Sequence, residues 1–472
     1  MSKINSMMDI GRRSMQNSST GLQTVGHNIA NKNTEGYSRQ RVDFQTNEPV
    51  GFGKHRIGMG ARPGAVNRIS NPYLERQLEK EGGELGYSEA KAEAMSKIEQ
   101  VYNEQVNKGL NKYMGEFFNS FRELSNNPES LASRTLVKES ADFLAKDFKR
   151  VDDQLQDVQK DVDYQLAAHV EEVNNITAEI ADLNEKVQVV TLQGGAANDE
   201  RDRRDLLVKK LSSLVNIRYA ENNEGHLNVT AGDSAVLVSG YSHRKLSVGS
   251  SSGREGKREG NFDVYYHPTE SSKPVTVTSQ MRGGRMGALI EVRDQVVNEF
   301  RNKVDTMAYS ITKSINRAHS MGYDRNNVKG KNLFEDNGRV ENAAQNMMVN
   351  KEIMRDVSKI VAAAEPNAPA DNRVANVLSS LQYQKTMDDF DFDEFYNSMV
   401  GQVGIMTAKA MNAENSQSDI VKQLNNLRES VSGVSLDEET TKMIEFQKAF
   451  DASARLITTA DEMMDTVLSL KR

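Results

Sequence analysis

The sequence predicts a mainly α fold: an elongated multi-domain helical bundle with paired N- and C-terminal helices and a small inserted β-domain. Three observations carry this reading. Apolar residues recur at alternating spacings of three and four near both ends and along two long middle segments, the repeat of a helix that buries one seam. From Leu436 to Leu470 the chain holds neither Gly nor Pro. Residues 215–281 break the helical repeat with short strand-like runs split by turns.

Ile4, Met8, Gly11, Met15, Ser18, Leu22, Val25 and Ile29 form the first seam, weakened by Gly11 and Ser18. A lone helix of that length is marginal in water and needs a partner. Leu436, Met443, Phe446, Phe450, Ile457, Ala460, Met464 and Val467, widened by Leu456 and Met463, offer one. Ser435 with Asp437, Glu438 and Glu439 supplies a cap and early carboxylates for the start of that second helix. Between them, Leu155 to Val190 and Met399 to Val431 run at near-heptad spacing until Gly194 and Gly433, each at least ~50 Å long. Residues 72–125, 131–151 and 285–320 also read as helical. Residues 37–70, with five glycines, suggest an extended hairpin. The expected division is 1–35 with 436–472 as a terminal coiled coil, 36–214 with 282–435 as a helical bundle, and 215–281 as a β-domain projecting outward.

Composition excludes several function classes. The 472 residues exceed one ordinary domain, and 37% hydrophobic against 27% charged residues implies thin, elongated cores. The formal charge of −7 comes from interspersed signs, so no nucleic-acid face stands out. No apolar run approaches the ~18 residues of a membrane span, and the first thirteen residues lack the apolar stretch of a cleaved leader. With no cysteine there are no disulfides, thiolate metal sites or thiol nucleophiles. Gly51 to Gly60 matches neither phosphate-loop pattern; Asp389 to Asp393 lacks the Gly and Glu of a calcium loop and reads as a capped helix start. The seven histidines are scattered, with no His-x-x-x-His pair. The reading therefore includes no catalytic residue, metal site or cofactor.

His27-Asn28-Ile29-Ala30-Asn31 followed by Thr34-Glu35-Gly36-Tyr37-Ser38-Arg39-Gln40 is a string of helix-ending and turning residues, since Asn and Gly tolerate positive φ. With Leu436 to Asp465, and Arg293-Asp294-Gln295 through His319 to Asp324, it resembles the flagellar hook-associated protein 1 family, the hook–filament junction proteins. Rod and hook proteins usually continue Gly-Phe with a lysine, whereas Gly36-Tyr37-Ser38-Arg39-Gln40 looks like the junction family. Residues 325–390 match no pattern, and the family's larger members carry more outer structure.

The resemblance implies a secreted structural subunit of the bacterial flagellum, exported by the flagellar type III apparatus and self-assembling through its terminal helices. His27, Asn28, Asn31, Gly36, Tyr37, Ser38 and Arg39 would form the elbow beyond the first helix. The implied partners are further copies of the chain, hook protein, hook-associated protein 3, and an export chaperone on the Met-rich C-terminal seam, since Met adapts to irregular partners. Neither nucleic acid nor membrane insertion is implied. Another axial protein, an intracellular coiled-coil adaptor and an enzyme on a flagellar scaffold are the rival readings. The two terminal motifs disfavour the adaptor and the missing catalytic constellation disfavours the enzyme.

Overall fold

A computed structural model of the chain describes residues 2–52, 55–103, 109–222, 224–250, 261–269, 272–336, 338–387 and 389–469. Helix α1 (Ser2–Ala30) leads into β1 (Gln40–Thr46), β2 (Val50–Phe52), β3 (His55–Ile57) and β4 (Ala61–Arg68). Strand β1 pairs antiparallel with β4, and β2 with β3, so 37–70 is a hairpin with a second, shorter hairpin at its tip. Helices α2 (Pro72–Val101), α3 (Leu110–Asn126), α4 (Leu131–Leu192) and α5 (Asn198–Leu214) follow.

The stretches 131–151 and 155–190, which read as separate helices, are one helix of 62 residues, about 90 Å long. Nothing between them stops it: residues 152–154 are Asp-Asp-Gln, and Asp152 is buried against Arg301 instead of turning the chain. Ser130 caps its start by accepting from the Ser133 amide.

Among the described residues seven strands come next: β5 (Ile217–Glu221), β6 (Leu227–Ala231), β7 (Ala235–Ser239), β8 (Ser242–His243), β9 (Leu246–Ser250), β10 (Phe262–Tyr266) and β11 (Val275–Thr276). The first four form one antiparallel sheet in chain order, and the rest form another with β10 central. Part of the Ser/Gly-rich segment at 247–260 lies outside the described residues. These strands do not enclose a core of their own. Val229, Leu237, Val264 and Val277 are buried against Leu166, Val173, Ile180 and Leu183 of α4 and Leu211 of α5. Residues 215–281 therefore lie on the second half of α4, because sheets this small cannot bury enough apolar surface alone.

The chain returns through α6 (Gly284–Glu291), a π-helical turn at Val292–Val297 and α7 (Asn298–His319). Arg293 in that turn is fully buried and paired with Asp163 at 2.6 Å and with Asp294, while its carbonyl accepts from Gln159. Two helical turns on, Arg301 grips Asp152 through both carboxylate oxygens at 2.8 and 3.0 Å. These buried pairs fix the register of α7 on α4.

Residues 325–390, unreadable in sequence, hold the short helices α8 (Ala343–Asn346), α9 (Lys351–Arg355) and α10 (Arg373–Ser380). They insert Leu333, Phe334, Ile353, Ile360 and Leu378 into the core shared by α3, the first half of α4 and α7. Buried His319 is built into this lobe: its Nδ1–H donates to the Lys331 carbonyl and its Nε2 accepts from the Val361 amide at 3.1 Å. Helix α11 (Phe392–Ser432) starts where the sequence predicts an Asp-capped helix, its cap being a reciprocal Asp391–Glu394 capping box, and runs back along α2. After Gly433, α12 (Leu436–Ser469) packs antiparallel on α1.

Two buried groups make stability depend on pH in opposite senses. Burial, partly offset by the Lys331 carbonyl, lowers His319 from 6.5 to about 4. Between those values the unfolded chain takes up a proton and the folded chain does not. Its contribution is whole above pH 6.5 and is lost as pH falls towards 4. Glu79 of α2, which accepts from the Tyr219 hydroxyl at 2.7 Å, is raised by burial from 4.5 to about 7. Its contribution is present below 4.5 and is lost as pH rises through 7. Replacing His319→Gln is expected to flatten the acid side alone. The wild-type-minus-variant difference in urea unfolding free energy should shrink by up to about 3 kcal/mol from pH 7 to pH 4, and an unchanged difference would contradict the buried neutral imidazole.

Candidate functional site

Helices α1 and α12 meet along a line of small residues. A methyl group at Gly11 would lie 2.6 Å from the Ile457 side chain, and one at Gly21 would lie 2.7 Å from the Phe446 ring. Between them the Ser14 and Ser453 hydroxyls are bonded at 2.6 Å. With Ser18, Val25 and Asn28 these positions step by three and four, so they share the face of α1 turned to α12.

The expected seams only partly coincide with this line. Val25 is buried, whereas Ile4, Met8, Met15, Leu22 and Ile29 flank the contact half-buried. On α12, Met443, Phe446, Phe450, Leu456, Ile457 and Met464 are also half-buried, while Leu436, Met463 and Val467 are exposed. The fully buried α12 positions are Glu439, Ser453 and Ala460. The glycines of α1 make room for bulky side chains of α12: Ile457 and Leu456 seat against Gly11, and the Phe446 ring against Gly21. Gly11, Ser18 and Val25 of the expected seam are buried, and the steps between and beyond them fall to Ser14, Gly21 and Asn28, with Met15, Leu22 and Ile29 beside them.

The elbow closes one end of this helix pair around a buried amide. Asn28, 1% exposed, has its whole hydrogen-bonding capacity satisfied. Its Nδ2 donates to the Gln40 carbonyl and to Glu439 Oε2, both at 2.9 Å. Its Oδ1 accepts from the Tyr37 hydroxyl at 2.7 Å and the Gln40 amide at 2.9 Å. Burial, with the charges of Asp199, Asp202 and Glu439 added, pushes the Tyr37 phenol well above its ordinary range, so it remains a donor. Arg39 then reaches the same carboxylate: its Nε donates to Glu439 Oε1 at 2.7 Å, and its Nη1 to Glu438 at 2.6 Å. The Arg39 amide donates to the carbonyl of Ser432, just before α12.

The other elbow residues anchor the pair to the bundle. Gly36 sits at φ +81°, where a side chain would also press on Leu206, so the turn requires glycine. The Ser38 amide donates to Asp202 at 2.7 Å, and Arg68 bonds both Asp202 and Asp205. His27 contacts Asp199 at 3.2 Å and stacks edge-on against Tyr37, while Asn31 returns to the His27 ring and carbonyl. Buried Arg428 of α11 donates to the Gly36 and Tyr37 carbonyls and to Glu75 of α2. The β1–β4 hairpin braces α1 from the side, with Asn17 donating to the Ala61 carbonyl and Phe44 edge-on to Phe446.

Sequence reasoning brought forward the elbow residues but not Glu439, Asp202, Arg68 and Arg428, which hold them. A carboxylate in the first turn of a helix satisfies the dipole, so Glu439 carried no separate signal. Helix α1 carries glycines at 11, 21 and 26; the first two take the Ile457 and Phe446 side chains of α12, while nothing lies within 4 Å of a methyl group at Gly26. Among the described residues, no group of three or more His, Asp or Glu side chains could hold a metal ion, and no helix is long and apolar enough to cross a membrane. The arrangement ties the α1–α12 pair to the bundle.

Two family models match the chain. The one described as "Flagellar hook-associated protein FlgK helical domain" covers residues 95–334. The one described as "Flagellar basal body rod FlgEFG protein C-terminal" covers 428–470, which includes Arg428, Glu439 and α12. Flagellar hook-associated protein 1 of Bacillus subtilis is 29% identical over 98% of this chain and 97% of its own length. Its Escherichia coli counterpart is 25% identical over 95% and 97%. Among solved structures, the flagellar hook junction protein FlgK of Burkholderia pseudomallei superposes with a TM-score of 0.67 at 14% identity, covering 75% of this chain and all of that one.

Asn28→Ala leaves the Gln40 amide and the Tyr37 hydroxyl without their buried acceptor and is expected to weaken the α1–α12 pair by about 2–4 kcal/mol. Amide exchange in α12 should accelerate while the melting of the central bundle stays put; a uniform loss across both would place Asn28 in the global core instead. Gly21→Leu should act in the same local way through its clash with Phe446.

Proposed function

The chain belongs to the flagellar hook-associated protein FlgK family, and we propose that it is a structural subunit at the hook–filament junction whose terminal helix pair assembles with neighbouring subunits. It is a secreted part of the bacterial flagellum, and its role is structural. The observation that carries the reading is the joint at Asn28, Arg39 and Glu439. It sets the angle between a slender helix pair and a long braced bundle, as a stacked tubular subunit requires.

The pair is built for completion by neighbours. Its axis is lined by small residues, while Leu436, Ile444, Met463, Val467 and Leu468 are exposed along α12. These side chains lie on several sides of α12 and are open to partners in an assembly. In this reading the neighbours are further copies, hook protein on one side and hook-associated protein 3 on the other. Before assembly the same α12 face would engage an export chaperone during passage through the flagellar type III apparatus, and the Met side chains suit two successive partners.

Deleting 436–472 is expected to leave the central bundle folded, by circular dichroism and melting, and to abolish filament attachment; cells that still grew attached filaments would refute the junction role. In the dilute chain, α1 and α12 are expected to exchange their amides much faster than α4 and α7. Equal protection would show that the pair needs no neighbours.

A further inference from the structure

Of the five buried arginines among the described residues, four are paired with carboxylates: Arg204 with Glu221, Arg293 with Asp163, Arg301 with Asp152 and Arg428 with Glu75. Arg134, 3% exposed, is the exception. Its Nη2 donates to the Pro128 carbonyl at 2.8 Å, while its Nε and Nη1 meet no acceptor of the protein. Burial lowers this guanidinium to about 10, which leaves it charged at neutral pH.

Its surroundings add positive charge. Arg134 stands in the first turn of α4, at the positive end of the helix dipole, and that turn holds no acidic residue. The charge of Arg325, an exposed residue, lies close enough to lower Arg134 further, while that of Asp324 acts the other way. Asp324 is engaged elsewhere, its Oδ1 accepting from the amides of Asn326 and Val328, both at 2.8 Å. The nearby His319 ring has both nitrogens bonded to backbone groups. Water can take the remaining N–H groups of Arg134, but it brings no charge to offset a guanidinium removed from bulk solvent.

We propose that Arg134 and Arg325 hold a small oxyanion at the start of α4. A guanidinium presents its N–H donors in one fixed plane, and an anion with two or more oxygens can meet two of them at once. A carboxylate, a sulfate and a phosphate share that chemistry. Arg325 draws the anion from the surface and Arg134 bonds it beneath, so the anion ties the turn between α3 and α4 to the loop at 322–330.

The test is the melting of the full-length protein at pH 7 in sodium sulfate, phosphate or acetate against sodium chloride of equal ionic strength. The parent is expected to gain about 2–4 °C, saturating at millimolar anion. Arg134→Met, an apolar chain of similar length, should abolish the gain. Arg325→Gln, at an exposed position, should raise the half-saturating concentration about tenfold, and it decides the matter alone if Arg134→Met does not fold. Saturation by sulfate or phosphate only assigns the site to a free inorganic anion. Saturation by acetate assigns it to carboxylates. Equal melting of the parent in all four salts overturns the proposal, since water then serves Arg134. A gain of the same size in the parent and both variants overturns it too, since the salt then acts on the whole surface.

Discussion

One buried amide sets the relation between the two ends of the chain. Asn28 bonds Gln40 and Tyr37, which follow it closely, and Glu439, 411 positions away. Closing so long a loop costs little more than closing one of half the length, but a buried amide tolerates no loose partner. Once Glu439 is drawn in, Arg39 must neutralise it, and the Arg39 amide in turn takes up the Ser432 carbonyl. The start of α12 is thereby held at the C-terminal end of α1, and the small residues beyond let the two helices lie against each other along their length.

The joint needs a stiff body to act against, and α4 supplies it. Its first half shares a core with α3, α7 and the irregular lobe, and its second half shares one with the strands and α5. The two cores are held in one register by Arg301 on Asp152 and Arg293 on Asp163. Buried ion pairs of this kind add little net stability, but they exclude sliding of α7 along α4. Asp202 on α5 and Arg428 on α11 tie the elbow to helices of this body, α5 packing directly on α4.

Much of this was legible because its physics is local. Helical seams, caps and stops depend on residues a few positions apart, so the helical segments, the Asp-capped helix start at 389–393 and the turn at Gly36 could be read directly. The elbow motif was legible as a turn. Residues 325–390 were not, because their short helices carry too few turns for a repeat to show. Their apolar residues answer to partners in α3, α4 and α7.

By itself the sequence determined the mainly helical class, the two terminal helices, the strand-bearing stretch and the elbow residues that mark the family. The tertiary structure alone decided which faces meet. Hydrophobic weighting placed Leu22 and Met15 on the contact between α1 and α12, whereas Gly21 takes the Phe446 ring and Ser14 meets Ser453. It also decided that Glu439 belongs to Asn28 and Arg39 and is not merely a first-turn carboxylate. The reason is the same in both cases. Steric fit and the pairing of buried polar groups are properties of two surfaces brought together, and no periodicity within either segment records them.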